Sequence, residues 1–196
     1  MVLSGAVVFP HGLLPLFIFE PRYREMLEYA LQNDRVFCIG NTLPGVDPEE
    51  APDPVHPVTT AGLIRACVTH DDGTSHLMLA GIQRVRLVGW EQVTPFRIAR
   101  IAPLDDVALE QEATASVKER VLLLCEEALS KAPQSSDLMS EHLRSISDPS
   151  ALSDVVAQNF VNDVDHRQRL IETLDVKERL QLLATFLATR VSDDLE

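Results

Sequence analysis

Basic residues are scarce in this sequence. Lys and Arg number 17 against 30 Asp and Glu, so the formal net charge is −13 at pH 7, and most of the acidic excess lies after residue 104. A protein that binds nucleic acid needs clustered Lys and Arg to contact phosphates. The same need applies to binding at an anionic membrane surface. We therefore expect neither nucleic acid nor a membrane among the partners.

Cysteine is also scarce. Cys38, Cys67 and Cys125 form an odd set without a CxxC spacing, which argues against a disulfide framework and for reduced thiols. Each lies in an apolar segment, so we interpret all three as buried small hydrophobic residues rather than nucleophiles. The alternative is a hydrolase that uses a cysteine or a metal, and thiol labelling and metal analysis would test it.

Recognisable catalytic motifs are missing. The sequence contains no GxxxxGK[ST], GxGxxG, GxSxG or HExxH. The strongest site-like cluster is formed by His70, Asp71, Asp72 and His76, whose side chains are metal-ligand types. We favour a polar turn in which Asp side chains accept hydrogen bonds from nearby backbone N–H groups. We therefore expect no catalytic residue, no cofactor and no metal.

A long uninterrupted apolar run is also missing, although residues 7–27, VVFPHGLLPLFIFEPRYREML, come close to one. No Lys or Arg precedes Arg22, so the basic start of a secretory signal is lacking, and three prolines and Glu20 interrupt any membrane span. The segment predicts two strands, Ala6–Phe9 and Leu13–Phe19, buried on both faces, and a helix that opens at Pro21. The helix should pack on the strands through Tyr23, Met26, Leu27, Ala30 and Leu31. We expect a cytoplasmic protein.

The rest of the first half predicts further β-structure. Residues 41–60 hold five prolines and predict a loop, either a surface insertion or a flap over a binding surface. Residues Gly62–Trp90 predict a hairpin with an Asp-Gly turn, in which Gly81 marks a bulge or a change of strand partner. Phe96–Ile101 predicts another strand. About six strands and one helix without βαβ alternation indicate a small, strongly bent sheet or barrel.

One basic and aromatic strip stands out in the hairpin. Alternation along QRVRLVGW places Arg84 and Arg86 on the same face as Trp90, and Arg97 lies nearby in the sequence. Such a strip could bind a peptide carboxylate or a nucleotide. The alternative is a set of exposed charges whose aliphatic stems cover the sheet. These four residues are the candidate ligand or peptide surface.

Helical periodicity replaces β-patterns after residue 104, and no glycine follows Gly89. We therefore predict two domains, 1–104 and 105–196. Helices are predicted near 108–131 and 136–146, from Pro149 with Asp148 as N-cap, from Asn162 or Asp163 to about Thr173, and from Asp175 with Glu178 as a capping-box-like pair. The first should bury Val117, Val121, Leu124 and Ala128. The last should bury Val176, Leu180, Leu183, Leu187 and Val191.

Several segments resemble the Lon substrate-binding domain family. GAVVFPHGLLPLFIFEPRYREML is similar to the opening of that family, with its L-P-L-x-I-F-E-P-R-Y block, although His11 stands where a glycine is usual. GLIRACVTHDDGTSHLMLAGIQRVRLVGW resembles its hairpin. LSDVVAQNF and RQRLIETLDVKERLQLLATFL resemble its C-terminal helices, with L-x-D-x-V-A and D-x-x-x-R-L patterns. The closest likeness is to stand-alone bacterial members.

The resemblance implies an α+β fold, in which an N-terminal PUA-like β-barrel is followed by a C-terminal α-helical bundle. It implies a non-enzymatic module that binds unfolded or client polypeptides in protein quality control, alone or with a separate protease or ATPase. The phosphate loop and peptidase block of full-length Lon are absent from the sequence, so those activities do not carry over. A structural role is implied for Glu20, Arg22 and Tyr23, as a local Glu–Arg or Tyr hydroxyl bond. The alternative function is a PUA-like domain that binds a small ligand, a nucleotide or RNA.

Overall fold

The chain folds into two compact units, Met1–Leu104 and Asp105–Glu196. The computed structural model describes residues 1–43, 45, 55–107, 111–130 and 136–193. Within these ranges the first unit holds six strands and one helix, and the second holds five helices. The α+β class with a helical C-terminal part is therefore confirmed. Most of the predicted loop, residues 44 and 46–54, lies outside the described ranges, and so does the predicted start of a helix at 108.

One six-stranded sheet forms the first unit. Its strands are β1 (Val2–Leu3), β2 (Leu13–Ile18), β3 (Val36–Asn41), β4 (Val58–Thr69), β5 (Ser75–Gln92) and β6 (Ile98–Pro103). The order is β1-β3-β4-β5-β2, and β6 also pairs with β5. The β1–β3 pair is parallel, and all the others are antiparallel. The last predicted strand begins two residues later than expected.

Strand β5 has three partners in this sheet, because it pairs with β4, β2 and β6. Its first part pairs with β2 as far as Ala80, and its second part pairs with β6 from Val85. Gly81 lies between these two partners and beside a register shift in the β4–β5 ladder. The predicted hairpin and the predicted change of strand partner at Gly81 are both confirmed. Bulges of this kind increase the bend of a sheet.

The predicted strand Ala6–Phe9 is wrong. Residues 6–9 are not part of a strand, although Val7, Val8 and Phe9 are buried. The backbone turns directly after them, because Gly12 N–H donates to the Phe9 carbonyl (3.0 Å). The apolar residues therefore fill the core from an irregular segment, and the edge of the sheet is formed by Val2–Leu3 instead.

Helix α1 (Pro21–Gln32) covers the inner face of the sheet. Glu20 is its N-cap and Pro21 its first residue, as predicted. Arg22 Nε donates to Glu20 Oε2 (3.0 Å), and the Tyr23 hydroxyl donates to the Val2 carbonyl (2.6 Å). The expected Glu–Arg and Tyr hydroxyl bonds both exist. Tyr23 therefore joins the helix to the first edge strand.

The described residues of the second unit form five helices, and three of the helix starts confirm predicted caps. They are α2 (Gln111–Ser130), α3 (Ser136–Ser145), α4 (Pro149–Phe160), α5 (Val164–Glu172) and α6 (Val176–Asp193). The Asp148 carboxylate accepts from Ala151 N–H (3.1 Å). Asp163 accepts from His166 N–H and Asp175 from Glu178 N–H, at 2.8 and 2.9 Å. None of the helices that the described residues form has the length and apolar character needed to cross a membrane.

The buried faces of α2 and α6 supply much of the core of this unit. In α6, Val176, Leu180, Leu183 and Leu187 are buried as predicted, while the side chain of Val191 is outside the described part. The buried face of α2 is rotated slightly from the predicted stripe, because it centres on Thr114, Val121, Leu122 and Cys125.

Arg179 is fully buried within the second unit, which the sequence analysis did not predict. Its guanidinium donates to both carboxylate oxygens of Asp106 (2.8 and 3.0 Å) and to Ser153 Oγ (2.8 Å). It also donates to the Thr173 carbonyl (2.9 Å), and the buried Asp154 carboxylate lies 3.7 Å away. Arg179 thus connects α6, α4 and the segment before α2. Asp154 lies in LSDVVAQNF and Arg179 in RQRLIETLDVKERLQLLATFL, the two segments that resemble Lon helices. That resemblance was the only indication of this network in the sequence.

Candidate functional site

The structure brings together two of the four predicted surface residues. Arg97 Cζ lies 5.0 Å from the centre of the Trp90 ring, which is a cation–π contact. Arg84 is buried at 3% exposure, and Arg86 is exposed on β5. Arg84 and Arg86 lie on the same side of β5 as predicted, because the ladder with β4 is regular between them, but Arg84 is not a surface charge. Trp90 does not share that side, and this part of the prediction is wrong.

A bulge in β5 explains the error. The β5–β6 ladder pairs Leu87 with Ile101 and Gly89 with Arg100, so Val88 is an extra residue. An extra residue reverses the alternation of side chains beyond it. Trp90 therefore shares a cavity with Leu87 rather than a face with Arg86. The sequence carried a weak signal for this bulge in Gly89.

Trp90 and Arg97 line a cavity of about 180 Å³ in the first unit, which we call the aromatic cavity. Its walls come from α1, β3, β5, β6 and the segment before β6. The principal wall residues are Met26, Tyr29, Val36, Phe37, Leu87, Trp90, Phe96, Arg97, Ile98 and Ile101. The rings of Tyr29 and Phe96 are 5.6 Å apart, and Tyr29 is half exposed at the rim. The cavity can accept an apolar group of limited size.

The described residues that line the aromatic cavity carry positive or no charge. Its described lining contains Arg97 and no acidic residue. The amino group of Met1 donates to the Cys38 carbonyl (2.8 Å), and burial lowers its pKa to about 6. Burial also raises the pKa of the Cys38 thiol, which keeps that thiol neutral at pH 7. Among the described lining residues, Arg97 therefore carries the permanent charge.

A second apolar surface lies on the outer side of the sheet, where β2 exposes one of its faces. Leu13, Phe17 and the following Phe19 are 55%, 48% and 58% exposed, and Pro15 is exposed with them. The prediction that β2 is buried on both faces is therefore wrong. Its inward residues Leu14, Leu16 and Ile18 meet the core, while the outward ones face solvent.

Neighbouring strands extend this exposed surface. Pro15 lies opposite Met78, which lies opposite Ala66, and Phe17 lies opposite His76, which lies opposite Val68. Residues directly opposite one another project to the same side of a sheet. We define the outer apolar face as Leu13, Pro15, Phe17, Ala66, Val68 and Met78. Part of it forms an open groove of about 450 Å³.

Two histidines border the outer apolar face. His76 packs against Phe17 with ring centres 4.6 Å apart, and His70 Nε2 lies 2.9 Å from His76 Nδ1. Asp72 accepts hydrogen bonds from the backbone N–H and hydroxyl of Thr74 (2.9 and 2.7 Å), which lowers the pKa of its carboxyl. This is the local turn bonding that the sequence predicted. The described residues contain no group of three or more potential metal ligands.

Thiol labelling should distinguish buried cysteines from a reactive nucleophile. Cys125 is fully buried, and burial raises its pKa to about 12. At about pH 8 its thiolate fraction is then about 10⁻⁴. We expect iodoacetamide to leave Cys125 unmodified in the native protein, with any modification confined to Cys38 and Cys67. Peptide mass spectrometry provides the measurement, with urea-denatured protein as the control. Native modification of Cys125 at the denatured rate would contradict the fold around α2.

Residues 1–189 match the family described as the ATP-dependent protease La (LON) substrate-binding domain. The chain belongs to this family. It is 28% identical to Lon protease of Dictyoglomus thermophilum over 99% of this chain and 24% of that protein. It is 27% identical to Lon protease 2 of Bdellovibrio bacteriovorus over 94% of this chain and 23% of that protein. The chain thus spans about a quarter of the length of these relatives.

Solved Lon domains share the fold. The N-terminal domain of Mycobacterium avium complex Lon protease superposes with a TM-score of 0.77, at 16% identity and 96% coverage of both chains. A Lon N-terminal domain protein from Xanthomonas campestris gives 0.66, at 18% identity and 95% coverage of both. The family match includes the blocks that contain Arg179 and Asp154, and its description is that of a substrate-binding domain.

Proposed function

We propose that this Lon-type domain binds exposed apolar segments of unfolded proteins through its outer apolar face and serves protein quality control. The observation that carries the proposal is the exposure of Leu13, Phe17 and Val68, the last at 61%, on one side of three paired strands. Apolar surface of this kind gains free energy when a partner covers it, at about 25 cal/mol per Å². A contiguous apolar patch on a folded protein is typical of an interaction site.

The geometry suits an extended polypeptide. The groove is open to solvent and is lined by residues of three paired strands, so an extended chain can place apolar side chains against Phe17, Met78 and Val68. Pro15 lies in the middle of β2 and has no N–H, which makes this edge a poor template for adding another strand. We therefore propose that the outer face, rather than the edge, holds the segment. Unfolding and cleavage are the work of a separate ATPase and protease, and this chain performs neither.

Replacing Phe17 by threonine should weaken the binding of an unfolded protein about tenfold, since an aromatic residue central to an interface commonly contributes more than 1.4 kcal/mol. Threonine keeps a good strand former at this position while it removes the ring. The measurement is fluorescence anisotropy with a labelled, permanently unfolded protein whose cysteines are carboxymethylated.

The matched control is Leu138→Ser, which removes an apolar side chain that is 75% exposed on α3 and belongs to the other unit. Its affinity should equal that of the unchanged protein. Equal affinity of the Phe17→Thr variant would contradict the proposed site. Cleavage of the labelled protein by the purified chain, with or without ATP, would contradict the non-enzymatic part of the proposal.

A further inference from the structure

Strand β6 is an edge of the sheet in the first unit. Among the described residues it pairs with β5 and with no other strand. An edge strand presents N–H and C=O groups with which an extended chain can pair. The other edges suit such pairing less, because β2 carries Pro15 and the Val2 carbonyl of the two-residue β1 already accepts from Tyr23. Strand β6 has six residues, and its proline, Pro103, is the last of them.

The hydrogen bonds of β5 show which backbone groups of β6 point outward. Leu87 N–H donates to the carbonyl of Pro57, which directly precedes β4, so this N–H is turned away from β6 (2.8 Å). Leu87 lies opposite Ile101. Opposing residues of an antiparallel pair exchange both of their bonds or neither, so the N–H and C=O of Ile101 point away from β5. The bond from Leu104 N–H to the Arg84 carbonyl (2.9 Å) fits the same alternation.

The backbone of Ala99 points the same way. Both extra residues of the β5–β6 ladder, Val88 and Glu91, belong to β5, so the alternation along β6 is unbroken. Ala99 is two residues from Ile101 and therefore also directs its N–H and C=O outward. We define the β6 edge as the outward backbone groups of Ala99 and Ile101, which are two donors and two acceptors. Pro103, the next residue of this series, has no N–H and ends it.

The aromatic cavity lies on the side of the sheet to which Ala99 and Ile101 project. Leu87 is opposite Ile101, Trp90 is opposite Ala99, and all four residues line the cavity. A residue paired with Ala99 in an added strand would project to this same side. The small side chain of Ala99 leaves room there. The cavity of about 180 Å³ accepts one ring or one branched aliphatic side chain, since about 150 Å³ accommodates benzene.

We propose that the β6 edge binds an extended segment of a client polypeptide as an added antiparallel strand, whose residue opposite Ala99 places a large apolar side chain in the aromatic cavity. The inference rests on the proposed function and adds a second site with its own specificity. Antiparallel pairing lets Ala99 and Ile101 each exchange two bonds with the segment. These backbone bonds give affinity for any sequence, while the cavity selects one apolar residue.

The test uses a threonine-rich peptide with one leucine and blocked ends, and two doubly N-methylated versions of it. With leucine opposite Ala99, the residue two positions before it lies opposite Ile101. Methylating the nitrogens of these two residues removes both donors to the β6 edge. Methylating the nitrogens of the two residues that flank the leucine leaves both donors intact and is the matched control.

We expect the first methylated peptide to bind at least about tenfold more weakly than the unmodified one, and the control to bind within about twofold of it. Trp90, the single tryptophan of the sequence, lines the cavity, so its emission measures binding. A peptide with alanine in place of leucine should bind more weakly. Ala99→Pro removes one outward N–H and keeps a small side chain, so it should weaken peptide binding about fivefold and leave the urea midpoint nearly unchanged.

Equal affinities of the two methylated peptides overturn the proposal. A dimer that Ala99→Pro dissociates in sedimentation velocity also overturns it, because the β6 edge would then pair with a second copy of the chain. Phe17→Thr should keep the contrast between the methylated peptides while it weakens unfolded-protein binding. Loss of all peptide binding in Phe17→Thr would assign the peptide to the outer apolar face and contradict the proposal. Failure at the β6 edge is thus distinguishable from failure at the outer apolar face.

Discussion

Replacing Arg179 by leucine is expected to destabilise the helical unit by about 3–5 kcal/mol, the usual cost of removing one partner from a buried ion pair. Arg179 is completely buried and donates to Asp106, Ser153 and the Thr173 carbonyl. Leucine satisfies none of these acceptors. Asp154, which is 1% exposed and 3.7 Å from Arg179, would stay buried and lose the guanidinium beside it.

Urea unfolding followed by circular dichroism at 222 nm measures this loss, because the second unit is helical. Arg144→Leu is the matched control: Arg144 binds Glu126 (2.7 Å) and Glu119 (3.4 Å), but its side chain is 44% exposed. An exposed pair contributes about 0–1 kcal/mol, so the control should lose no more than that. If the two variants lost the same free energy of unfolding, the Arg179 network would stabilise the protein no more than a surface ion pair does.

Local chemistry explains what the sequence could predict. Asp148, Asp163 and Asp175 cap helices because their carboxylates reach N–H groups two or three residues away, and Pro21 opens α1 for a similarly local reason. The Asp-Gly turn between β4 and β5 is also local. Interactions within four residues depend little on the rest of the fold, which is why these elements were found.

Solvent exposure of β2 could not be predicted, because LLPLFI is apolar on both faces of the strand. A continuous apolar run is compatible with two buried faces or with one face kept exposed for a partner, and only the positions of neighbouring elements decide between them. The sequence pattern of β2 therefore does not reveal that its outer face is exposed. The wrong prediction at Leu13 and Phe17 coincides with the surface that we propose as the binding site.

Long-range pairing limited the remaining predictions. Arg179 and Asp106 are 73 residues apart, and nothing in VKERLQLL distinguishes a buried arginine from an exposed one. On β5, strict alternation fails because Val88 is inserted relative to β6, which moves Trp90 away from Arg86 and into the aromatic cavity. Both features depend on residues distant in the sequence, so residue patterns alone do not define them.

Gly81 allows one such long-range contact, because it has no side chain. Replacing it by alanine should lower the free energy of unfolding of the first unit by about 3 kcal/mol, the upper end of the usual range for overpacking. A Cβ atom at this position would lie 2.0 Å from the Phe9 carbonyl oxygen and 2.8 Å from its carbon. Backbone atoms cannot rotate away as a side chain can. The turn at Pro10–Gly12 would have to shift, which breaks the bonds from His11 N–H to the Gly81 carbonyl and from Gly81 N–H to the Gly12 carbonyl (3.0 and 2.9 Å).

Gly40→Ala is the control for this prediction, because its Cβ would meet the Val55 side chain at 2.6 Å rather than any backbone atom at that distance. A side chain can adopt another rotamer, so we expect a loss of about 1 kcal/mol. Trp90 fluorescence in urea follows the sheet unit in both variants. A loss at Gly81 no larger than that at Gly40 would mean that the buried segment Val7–Phe9 is not held against β5. The inner support of β2, and with it the geometry of the outer apolar face, would then need another explanation.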